Sequence, residues 1–101
     1  MSNDSTQIAK IIIQQLGHST GRMSVMLGAH SFLALESGLQ FKMKARAKDG
    51  IKVCTIELTP ADTYTVKFLG RTGIVKAEFE DVYADSLKTV FEQTTGLYLS
   101  L

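Results

Sequence analysis

A single cysteine, Cys54, occurs among the 101 residues. That excludes an internal disulfide and with it the stapled miniprotein class. The only histidines are His18 and His30, and no Cys/His cluster has zinc-ligand spacing. Tryptophan is absent and proline appears once, at Pro60. No Pro/Gly/Ser-rich linker, internal repeat or low-complexity stretch divides the chain, so residues 1–101 are expected to form one domain. The formal net charge is +1, which gives no bulk pull toward nucleic acid or an anionic membrane. Long apolar runs are also missing. Ile11-Ile12-Ile13 is far too short to cross a bilayer, and Met1-Ser2-Asn3-Asp4-Ser5 lacks the basic start of a signal peptide. The expectation is a cytoplasmic protein without metal or cofactor.

Alternation is what the chain does have. Leu39–Ala45, Lys52–Leu58, Tyr64–Leu69 and Ile74–Glu80 each alternate apolar and polar residues, the mark of strands with one buried face. Asp49-Gly50 suits a two-residue type I′ hairpin turn. That turn would pair Lys42 with Glu57, Lys44 with Thr55 and Arg46 with Val53 on one face. On the other it would pair Phe41 with Leu58, Met43 with Ile56 and Ala45 with Cys54. The turn Thr59–Thr63, with Pro60 at its first central position and Asp62 bonding nearby amides, sets Leu58, Ile56 and Cys54 against Tyr64, Val66 and Phe68. The turn Gly70–Gly73 sets Phe68 against Val75, Val66 against Ala77 and Tyr64 against Phe79.

Around this meander, Asp4–Leu16 reads as a helix capped by Asp4 or Ser5, with Ile8, Ile11, Ile12 and Leu16 on one stripe. Arg22–Leu27 reads as a leading strand. Gly28–Ser37 has no clean period and is expected to be a wide connection that partly buries Phe32, Leu33 and Leu35. Asp81 would cap a second helix running to about Thr95, with Tyr83, Leu87, Val90, Phe91 and Thr94 on one face and Gly96 as its left-handed stop. The apolar tail Leu97–Leu101 is expected to dock on the body. The sum is an α+β domain of two layers: an antiparallel sheet of about five strands flanked by N- and C-terminal helices.

Several segments resemble a known family: Met26–Phe32, Leu39–Lys42, Asp62–Phe68, and above all Val82-Tyr83-Ala84-Asp85-Ser86-Leu87 with Phe91–Tyr98. They are similar to small proteins encoded by tailed bacteriophages and prophages. The resemblance covers most of the chain after the first helix, and the closing motif is its more specific part. His30 stands where that family has lysine, and no proline follows Lys42. The family has no agreed activity, so no site residues carry over. It implies a bacterial host cytoplasm and a host factor as one target.

Catalysis has little support. Cys54 falls on the core face, where a thiol is inert. Asp62 and Asp81 have turn and cap roles, and Gly70-Arg71-Thr72-Gly73 lacks the spacing and lysine of a phosphate loop. Two features of the outward face stand out in the derived register. Ile51, Val53, Leu69 and Ile74 form an apolar strip, covered by the chain itself or by a partner. Lys44, Thr55, Lys67 and Lys76 form a basic row, either simply solvated or facing an anion together with Arg46 and Lys48. The first expectation is therefore a non-enzymatic protein that binds another protein or itself, most simply as a homo-oligomer through the strip. The alternative is an accessory nucleic-acid-binding protein using the basic row.

Overall fold

The apolar faces of the strands and helices meet in one two-layer arrangement. The computed structural model describes residues 4–17, 28–44 and 48–97. Its elements are α1 (Asp4–Gly17), β1 (Ala29–Leu35), β2 (Gly38–Met43), β3 (Ile51–Leu58), β4 (Tyr64–Gly70), β5 (Val75–Val82) and α2 (Leu87–Thr95), with 3₁₀ turns at Lys48–Gly50 and Ala84–Ser86. The strands form one antiparallel sheet in chain order. The expected α+β meander with helices at its two ends is present. The leading strand expected at Arg22–Leu27, the capping side chains of Asp4 and Ser5, and the tail beyond Leu97 lie outside the described residues.

The first described strand is β1, within the segment expected to be a connection. Ser31 takes a left-handed φ of 56°, and the register shifts between His30 and Leu33. This bulge breaks the two-residue period that would have revealed the strand. It turns Phe32 toward the core and leaves Leu33 outward at 52% exposure.

Both helices pack on the inner face. On α1 the buried residues are Ala9, Ile12 and Leu16, while Ile8 and Ile13 pack at the margin. Ile11, expected on the stripe, is 46% exposed, because the stripe is centred one position further round the helix. Gln15, also on α1, hydrogen-bonds the phenol of Tyr64. On α2, Leu87, Phe91 and Thr95 are buried. This helix starts later than expected. Asp81 still belongs to β5, with φ 56°, and Ser86 takes the N-cap position. Gly96 closes the helix at φ 76°, its N–H donating to Glu92 O at 2.8 Å, and Leu97 packs on the core beyond it.

One inner row explains the packing. Phe41, Cys54 and Phe68 pair directly across β2, β3 and β4. Phe91 of α2 meets both flanking rings, at centroid distances of 6.2 Å to Phe41 and 6.0 Å to Phe68. The small cysteine between them leaves the trough that the ring occupies. Phe32 stacks on Phe41 at 5.6 Å, and Phe79 meets Phe68 edge-on at 6.2 Å. A run through all five phenylalanines thus joins β1, β2, α2, β4 and β5. Each fully buried ring stabilises the fold by roughly 1.5–3 kcal/mol.

The β3–β4 register is as derived. The β2–β3 register is not: Lys42 faces Val53 rather than Glu57, and Phe41 faces Cys54 rather than Leu58, a slip of four residues. Lys48–Gly50 forms a 3₁₀ turn instead of the tight hairpin, so the strands join through a longer loop. An even slip keeps every side chain on its face, so the burial pattern alone could not detect it. In β5, Phe68 faces Ala77 and Val66 faces Phe79, two residues from the expected partners, with bulges on either side.

The last two hairpin turns share one plan. Gly73 N–H donates to Gly70 O, and Asp62 N–H donates to Thr59 O. The left-handed position is filled by Gly73 in one loop and Asp62 in the other. The hydroxyl of Thr59, rather than the expected Asp62 carboxylate, accepts from a turn amide, that of Ala61 at 3.3 Å.

Two predictions follow from the packing. A Cβ on Gly38 would collide with the carbonyl oxygen of Ile56 and approach Glu57 Cα to 2.8 Å, both rigid backbone atoms. Gly38→Ala should therefore cost about 3 kcal/mol in urea unfolding, the upper end for overpacking. Gly73→Ala, which meets open space but a left-handed φ of 85°, should cost about 1 kcal/mol. Separately, burial pushes the Cys54 thiol well up from its ordinary range near 9. The unfolded chain releases that proton above about pH 9 while the folded chain holds it, so wild-type stability falls by up to about 1.4 kcal/mol per pH unit from there. Cys54→Ala should be less stable by about 1 kcal/mol at pH 7. That gap should close or reverse by about pH 10.5 in paired denaturation curves.

Candidate interaction surface

With both helices on the inner face, no described element packs on the outward face of the sheet. Two rows of side chains cross its middle. One runs Leu33–Gln40–Thr55–Lys67–Glu78, and the next runs His30–Lys42–Val53–Leu69–Val75.

The apolar strip is present but differs in membership. Val53 and Leu69 are direct partners and half-buried. Ile51 does not belong to it: it is a core residue, 1% exposed, paired with Gly70. Strict alternation would put Ile51 and Val53 on the same face. The bulge between them, with Lys52 as the extra residue, sends them to opposite faces. The partner of Leu69 on β5 is Val75, 49% exposed, and not Ile74. Ile74 stands at the turn beside it, 61% exposed, with its carbonyl accepting from Gly70 N–H at 2.8 Å. Val75 and Leu33 are the apolar outward residues that the alternation missed. Val75 was hidden by the β5 bulge and Leu33 by the bulge in β1.

The basic row does not exist as a row. Lys67 lies between Thr55 and Glu78, so its neighbour on β5 is a carboxylate. Thr55 faces Gln40, to whose Oε1 its hydroxyl donates at 3.4 Å, and does not face Lys44. Lys44 sits past the end of β2, where its N–H donates to Gly28 O. Lys48 donates from Nζ to Gln93 O at 3.3 Å, a cation placed against the carbonyl end of α2. The stem of Lys76 lies over Gly70, its Cε 3.0 Å from where a Cβ would stand, and so leaves the outward face. Arg46 is outside the described residues.

Among the described residues, no nucleophile and base are brought together. Cys54 is fully buried on the inner face. His30 is on the outward face opposite Lys42, its Nδ1 2.9 Å from Ser31 Oγ. Among the described residues, no group of three or more His, Cys, Asp or Glu side chains could hold a metal ion, and no helix is long and apolar enough to cross a membrane. The arrangement offers an outward surface of mixed apolar and charged side chains. No protein-family model, curated protein or solved structure matches the chain.

Proposed function

We propose that this is a non-enzymatic protein of phage or prophage type that works by association, and that the outward sheet face meets a second copy of itself across a two-fold axis. The observation that carries this is the strip Val53–Leu69–Val75 on a face that no described element covers. Apolar residues joined across three strands mark a contact surface, whereas scattered ones do not. The same face bears both signs of charge, Lys42 and Lys67 with Glu57 and Glu78. It can therefore meet its own copy without net repulsion, as an isologous interface requires. The phage resemblance adds a host factor as the alternative occupant of this face. The nucleic-acid alternative, by contrast, loses the row on which it rested.

Sedimentation of wild type and Leu69→Asp tests this. The wild type should be a dimer. The variant should be a folded monomer by circular dichroism, because a carboxylate buried unpaired in an interface costs several kcal/mol. If Leu69→Asp unfolds, Val75→Asp, at a more exposed position, decides by the same readout. A wild type that stays monomeric at high concentration overturns self-association.

A further inference from the structure

The near-neutral total conceals a separation of charge. Because the strands are antiparallel, the β2–β3 connection and the β4–β5 turn lie at one end of the sheet. The β1–β2 and β3–β4 turns and the end of β5 lie at the other. Lys42, Lys44, Lys48, Lys52, Arg71 and Lys76 gather at the first end, where the acidic positions are Asp49 and Glu92. Glu36, Glu57, Asp62, Glu80, Asp81 and Asp85 gather at the second, with Lys88. The strands rise ~3.3 Å per residue, so the two groups are roughly 20 Å apart, about two Debye lengths at physiological salt.

The basic end is built by backbone irregularity. Each of the two bulges flanking Leu69 has a lysine as its extra, unpaired residue: Lys52 in β3 and Lys76 in β5. Bulges re-aim side chains, and these two place cations on either side of the same strand. Gly70 has no side chain, which lets the stem of Lys76 lie across that strand's end.

We infer that this end binds the phosphate backbone of nucleic acid, without reading sequence. Lysines act as point charges that suit phosphates, whereas the cores of protein interfaces are depleted in lysine. Phe41, Phe68 and Phe91, the aromatic residues near this end, are fully buried, so the described surface here has no platform for base stacking and suits a duplex rather than a single strand. Apart from Lys42, which borders both, this end is separate from the outward strip.

The probe is a short mixed-sequence DNA duplex, followed by fluorescence anisotropy across a salt series. Six phosphate contacts should lose affinity by about a thousand-fold between 50 and 200 mM salt. Lys52→Glu with Lys76→Glu should weaken binding at least about ten-fold and reduce the log–log salt slope by about 2. Lys10→Glu with Lys88→Glu makes the same change in net charge on the helix layer and should leave the slope unaltered. If circular dichroism shows the first pair unfolded, Lys52→Gln with Lys76→Gln decides by the same slope. Three results would overturn the inference: no binding at low salt, equal loss in the helix-layer pair, or competition by polyglutamate as strong as by DNA at equal charge, which would make the partner an acidic protein.

Discussion

Phe91 seated over the trough between Phe41 and Phe68 is the contact on which the two layers depend. The trough exists because a small residue, Cys54, separates two large ones in the same cross-strand row. The requirement runs through three strands and a helix at once. The register of β2 on β3 and of β3 on β4 must both be right for the rings to flank the cysteine. A slip in either would put a larger side chain under the helix and lift it from the sheet. Sheet register and helix docking are thus one cooperative condition. The buried thiol therefore has a packing role, and its reactivity is suppressed by the burial that the role demands.

What could be read from residues alone was whatever depends on parity. Phe41, Cys54, Ile56, Val66 and Phe68 alternate without interruption, and all face the core as expected. The β3–β4 register was recoverable because Pro60 and the five-residue turn fix it. Slips of two or four residues leave parity intact, so the partners of Lys42 and Phe68 could not be told from burial. Bulges do the reverse, since each changes parity locally. Lys52 separates Ile51 from Val53 and removes Ile51 from the candidate surface. Ser31 does the same within β1 and conceals the strand altogether. The contact surface was therefore legible in its centre, Val53 and Leu69, and illegible at its margins. The charge distribution was the least legible feature, because it depends on which turns share an end and not on which residues share a face.

The same irregularities that defeat sequence alternation also shape the outward surface. Without its extra residue β3 would put Ile51 outward, and without its own β5 would put Lys76 there opposite Leu69. The bulges exchange that arrangement for a strip in the middle and cations at the end. A flat sheet with perfect alternation would present one mixed surface. In this one the apolar strip lies at mid-sheet and the two bulge lysines lie toward one end.

The positions of two left-handed residues carry a last consequence. Among the described residues, Ser31 and Asp81 are the non-glycine residues with positive φ inside strands, and they fall in β1 and β5, the two margins of the described sheet. A margin interrupted in this way does not offer the straight run of free N–H and C=O groups that an added strand would need. Growth in the plane of the sheet, the route to open-ended fibres, is thereby discouraged on both sides. That leaves the faces of the sheet for association, and a two-fold contact there, as proposed, would close after one addition and go no further.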